Sequence, residues 1–104
     1  VIKVSILYPA KPGAQFDMAY YRNSHMPMVA SKFGPALRRM AIDSGIAGGA
    51  PGAPAPFVAM GHMYFDSIEA FQAGFAQHGD AIVADIANYT DIEPIVQISE
   101  VVQD

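Results

Sequence analysis

A ferredoxin-like α+β sandwich of order βαββαβ is the fold this sequence predicts, and three observations carry that reading. Along the 104 residues, four runs with strand character and two with helical apolar spacing succeed one another in that order. Clusters rich in Gly and Pro, at 9–13, 34–35 and 45–56, punctuate them. Apolar residues stand on both sides of the strands, so an antiparallel sheet has one face for its helices and a second face left to bury. Packing that face against the sheet of a second copy would cover it.

Each element has its own justification. Ile2, Val4, Ile6 and Tyr8 alternate with Lys3, Ser5 and Leu7, which is the period of a strand, and Pro9, Pro12 and Gly13 end it. Asp17 is a suitable N-cap, with Phe16 before it and Tyr21 four positions after it at hydrophobic-staple spacing. The first helix therefore starts near Met18 and runs to about Phe33, where Gly34-Pro35 stops it. Pro27 lies inside it, removes the bond to the carbonyl of Asn23, and predicts a kink or short break worth about 3 kcal/mol.

A second strand is expected from about Leu37 to Asp43. The twelve residues Gly45–Pro56 are four Gly, three Pro, four Ala and Ile46, the composition of a solvent-facing loop with no side chain for chemistry. Phe57 to Phe65 is apolar on both faces and reads as an interior strand. Asp66, three residues before Glu69, resembles a capping box for a helix with Ile68, Phe71 and Phe75 on one stripe, ending at His78-Gly79. A shorter helix, Ala81 to Asn88, then precedes a last strand from about Pro94 to Val102.

Composition bounds the function. A chain of this length with 52% apolar and 15% charged residues is one domain, and so little charge on so small a body points to a homodimer. No run approaches the ~20 apolar residues of a membrane span, and the first residues open directly into a strand pattern without a signal-peptide layout. A cytoplasmic protein is the expectation. The absence of cysteine excludes disulfides, thiolate nucleophiles and thiolate metal sites. All six basic residues lie at or before Arg39 and nine of the ten acidic ones after it, so the two halves neutralise each other in one fold. The basic residues are too scattered for a nucleic-acid face.

The candidate site centres on Asp17, Tyr21 and His25, which recur every four positions and so form one stripe on a helix. Beside a pocket, His25 would serve as general acid or base near neutral pH, and Tyr21 would hydrogen-bond a substrate oxygen or the imidazole. Its alternative role is structural, one ring nitrogen satisfying a carbonyl freed by Pro27. His62 shares a strand parity with Val58, Met60 and Tyr64, and serves either as a second imidazole in the same pocket or as a hydrogen-bonded core or interface residue. His78, before Gly79, is assigned to a helix C-terminus.

No His-x-His, His-Glu-x-x-His or local acidic cluster supports a metal, and nothing singles out a haem ligand or a phosphate-binding loop. No cofactor is therefore expected. Six methionines with eleven Tyr and Phe residues would line a cavity for a flat or branched apolar molecule, or simply fill core gaps.

The run Phe16-Asp17-x-x-Tyr20-Tyr21, the His-x-Pro at 25–27, and the closing helix, strand and acidic tail resemble the EthD family, within the dimeric α+β barrel superfamily. The resemblance covers nearly the whole chain, as a single EthD-like domain over 1–104. It implies a homodimer with two sheets packed into a barrel and helices outside. It also implies a link to ether breakdown as companion of an oxygenase system, with the family's own reaction open, in a superfamily that includes cofactor-independent oxygenases, lactone isomerases and polyketide cyclases.

Three functions follow. The first is a cofactor-independent oxidoreductase or isomerase acting on an apolar or phenolic catabolite, with His25 transferring a proton and Tyr20, Tyr21 or His62 orienting substrate. The second is a non-catalytic companion that binds or sequesters the product of an oxygenase. The third is a structural dimerisation module.

Overall fold

In the computed structural model, which describes residues 1–104, the sheet is built from β1 (Ile2–Pro9), β2 (Arg39–Ser44), β3 (Phe57–Phe65) and β4 (Ile95–Glu100). Its strand order is β2-β3-β1-β4 and every neighbouring pair is antiparallel, the arrangement of a ferredoxin-like sandwich. β3 is interior, as its two apolar faces require. Helical segments cross between β1 and β2 and between β3 and β4, and both pack on one face. No helix is long and apolar enough to cross a membrane.

Strand alternation decides what each face carries. Val4 and Tyr8 of β1, and Ala59, Gly61, Met63 and Phe65 of β3, point to the helices and are buried. Lys3, Ser5 and Leu7, with Met60, His62 and Tyr64 opposite them in register, line the face without helices. Under the helices, Phe33, Phe65 and Phe71 form one aromatic cluster, and Tyr8, Phe16, Tyr21 and Tyr89 another. Phe33 lies where a Cβ on Gly74 would fall, at 2.5 Å from its ring, so only glycine lets the two helices approach there.

The first helical segment differs from its expectation in kind. α1 (Met18–Tyr20) starts at Asp17, whose side chain accepts a hydrogen bond from the Tyr20 N–H, and the Phe16 and Tyr21 rings meet at 5.1 Å. Helix then continues through a π turn (Tyr21–His25) into α2 (Met26–Phe33), so there is no break at Pro27. In the π turn the Met26 N–H reaches back five residues to the Tyr21 carbonyl. The widened turn lies just before the exposed Pro27 and absorbs a ring that would press on the carbonyl four residues back in a regular helix.

The second helix also departs from its expectation. α3 (Ile68–Asp85) is capped by the hydroxyl of Ser67, not by Asp66, and runs unbroken past His78-Gly79 into a 3₁₀ turn, Ile86–Asn88. Gly79 is buried against Phe75, whose ring lies 2.9 Å from where a Cβ would stand. That glycine marks close packing rather than a helix end, which leaves His78 in mid-helix instead of at a C-terminus. The charged halves do interleave, through exposed pairs Arg38–Asp66 at 3.6 Å and Arg39–Asp104 at 3.8 Å.

Candidate functional site

A strut between two chain segments sets the geometry of the site. The residues before α1 are stitched to those after α3: Phe16 bridges Thr90, Asp17 N–H donates to the Tyr89 carbonyl at 2.7 Å, and the Thr90 hydroxyl donates to the Gln15 carbonyl at 2.6 Å. The strut holds the π turn beside the C-terminal end of α3. His25, the last residue of that turn, is thereby brought to Asp85, the last residue of α3, 60 positions away in sequence.

His25 Nδ1 lies 2.8 Å from Asp85 Oδ2. The other carboxylate oxygen, Oδ1, accepts from the Tyr20 hydroxyl at 2.8 Å and from the Asn88 amide at 2.9 Å. Partial burial works to raise the Asp85 pKa, but hydrogen bonds from Asn88, His25 and Tyr20 outweigh it and hold the carboxyl below its ordinary value. The same bond to Asp85 pushes the Tyr20 phenol up. An ionised carboxylate only accepts, so Nδ1 carries the proton and a neutral imidazole keeps its lone pair on Nε2.

The ring is fixed as well as paired. It stacks on Tyr21 at 5.8 Å and 16° and packs against Tyr89 at 4.6 Å, leaving His25 only 4% exposed. No protein group bonds Nε2, and His25 lines a cavity of about 500 Å³ between the sheet and α2 and α3. The walls are apolar, with Val4, Ile6, Met26, Val29, Met63 and Ile82 among them. Its remaining ionisable groups are the Tyr8 phenol and Glu93. Tyr8 bonds the Tyr89 hydroxyl at 2.6 Å, and burial, reinforced by that neighbour, pushes its pKa far up, so it stays a neutral hydroxyl. The arrangement leaves one ring nitrogen of His25 unbonded beside an apolar cavity while a carboxylate holds the other.

The other expected site residues fall elsewhere. Tyr20 stands behind Asp85 rather than in the cavity wall. Tyr21 is wholly buried beneath Gly61, its hydroxyl without a hydrogen-bond partner, and burial pushes its pKa far up. His62 does not join His25: strand alternation turns it to the opposite face of the sheet. There Nδ1 meets the Ser5 hydroxyl at 3.2 Å and Nε2 the Asp43 carboxylate at 2.9 Å. Nor does His25 satisfy a carbonyl freed by Pro27, since its bonded nitrogen goes to Asp85. Asp85, Tyr8 and Glu93 went unrecognised in the sequence. For Asp85 the signal available in the sequence is the spacing Asp85-x-x-Asn88-Tyr89, which sets a carboxylate, an amide and a phenol close together along the chain.

Comparison with known proteins follows the same lines. A family model, the EthD domain, matches residues 13–93. Among solved structures, an EthD-like protein of Ralstonia eutropha JMP134 is 51% identical, with 99% of this chain and 93% of that one covered and a TM-score of 0.95. An ethyl tert-butyl ether d (EthD) family protein of Bacillus halodurans C-125 is 26% identical over 95% and 96%, with a TM-score of 0.72. SnoaB of Streptomyces nogalater, a cofactor-independent oxygenase, is 14% identical over 99% and 93% with a TM-score of 0.59, a likeness of fold alone. No protein of curated function matches the chain.

Proposed function

Because the chain belongs to the EthD domain family, matched over residues 13–93 and at 51% identity over 99% of its length, we propose that it is a small catabolic protein that binds an apolar or phenolic molecule in the cavity beside His25 and moves a proton on it. His25 Nε2 takes the proton. Asp85 holds the reactive tautomer and stabilises the imidazolium that results, and Tyr20 and Asn88 hold Asp85. The observation that carries this reading is a nearly buried imidazole with Nδ1 on a carboxylate, lining an apolar cavity of about 500 Å³.

The chemistry this supports is cofactor-independent, of the isomerase or oxidoreductase type, in which removing a proton from a phenol or an activated C–H is the step the protein supplies. The ligand would come from or pass to an oxygenase system, in keeping with an EthD-like domain spanning 1–104. The helix-free face of the sheet supports a homodimer, since Leu7 and Met60 lie side by side on the face where no helix packs and are only partly buried.

Titration calorimetry and product analysis with a panel of phenols, lactones and alkyl aryl ethers test the proposal. At least one class should bind and be converted, and His25→Ala should abolish conversion while the protein stays folded. Binding without conversion would reduce the protein to a companion that holds an oxygenase product. Absence of binding across the panel would remove the reading altogether.

A further inference from the structure

The charge inventory of the cavity narrows its ligand. Neither Lys nor Arg lines it. His25 is already committed to Asp85, so even when protonated the pair has no net charge to offer an incoming anion. The one other charged residue at the cavity is Glu93, exposed on the segment that leads from the strut into β4, and it makes no salt bridge. Its carboxylate lies among the residues lining an apolar cavity that offers no compensating cation, so an anion brought into the cavity meets a like charge and no partner.

Building on the function proposed above, we infer that the cavity takes its ligand as a neutral acid, a phenol or an enolisable ketone, and rejects carboxylates, with Glu93 as the residue that sets this choice. The ligand enters uncharged. Its O–H or C–H bond breaks inside, the proton passes to His25 Nε2, and the bonding electrons stay on the ligand as a phenolate or enolate beside the new imidazolium. Asp85 balances that imidazolium from behind, so negative charge is formed in the cavity but never carried into it. Rejecting an anion through an unpaired like charge is specificity by repulsion, and it requires no contact with the accepted ligand.

Three probes of one shape and different charge test this: 4-butylphenol, 4-butylbenzoate and 4-butylbenzylamine, titrated by calorimetry at neutral pH. The phenol should bind most tightly, with the benzoate weaker by about 10-fold or more. Glu93→Gln should narrow that gap by roughly 3- to 10-fold while phenol affinity moves less than about 2-fold, and Glu93→Lys should narrow it further. Two variants at an exposed position, each checked by its Tm, guard against a change of fold.

A benzoate that binds as well as the phenol, or a gap that neither variant alters, would overturn the inference and leave the proposed function standing. Tightest binding by the amine would also overturn it, since the site would then select cations. If the phenol itself does not bind, the proposed function falls and the inference with it.

Discussion

Asp85→Asn should reverse the tautomer of His25. In the native protein Asp85 Oδ1 receives both the Tyr20 hydroxyl and the Asn88 amide, while Oδ2 receives His25 Nδ1. An introduced amide keeps its oxygen toward the two donors and presents its NH₂ to His25. Nδ1 must then accept, and the imidazole proton moves to Nε2, where the base should be. Proton-transfer catalysis should fall by roughly 10²- to 10⁴-fold, the usual contribution of a positioned general base.

The stability change follows from the same three bonds. None is lost, but each exchanges a charged partner for a neutral one, and the carboxylate is one-fifth exposed and therefore partly screened. A loss of about 1–2 kcal/mol is expected, roughly 4–16 °C in Tm for a domain of this size. Because the folded-state pKa of Asp85 lies below its ordinary 3.8, its stabilisation is complete above that value and is lost as pH falls through the folded value. The difference in Tm between native protein and variant should therefore be widest near neutral pH and close below about pH 4. Long-range ¹H–¹⁵N spectra read the tautomer directly and require no substrate. An Nδ1–H imidazole in both proteins would refute the reasoning, however activity behaved.

Two other expectations test the packing around the site and the open face. Gly61→Ala places a methyl group on the Tyr21 hydroxyl, so denaturant titration should show a loss of about 1–3 kcal/mol, partly recovered by adding Tyr21→Phe; a loss under ~0.5 kcal/mol would contradict the close approach. Met60→Asp, at the centre of the helix-free face beside Leu7, should turn a dimer into a monomer by light scattering while Tm remains measurable; unchanged mass would move the interface elsewhere.

Local pattern exposed most of the fold. The alternation from Ile2 to Tyr8 sorted the residues of the first strand onto the two faces of the sheet, and the double-sided run from Phe57 to Phe65 identified an interior strand, because both depend on a period of two. Gly79 misled because glycine ends helices and also admits close packing, and only the position of Phe75 separates the two. The disturbance near Pro27 was legible, but not its form, since either a break or a widened turn relieves the same clash. His25 was found from its spacing. Its carboxylate was not, because Asp85 is 60 residues away and meets it only through the strut at Phe16 and Thr90. Both readings of His62, pocket imidazole or core and interface residue, stayed open because parity along one strand does not say which side the helices take.

The π turn also has a bearing on how this family of chains can vary in length. A π turn is a helix holding one residue more than its neighbours need. Removing one residue between Tyr21 and His25 lets the turn close to an ordinary one and leaves α1 and α2 in their present phase, whereas one removed from α2 would rotate everything beyond it by about 100°. A relative one residue shorter here would thus keep Met26, Val29 and Phe33 in the core, and with them the His25 that directly precedes Met26. The chain can therefore lose one residue at this point without re-registering either its core or its histidine, which it can do nowhere else along the same helix.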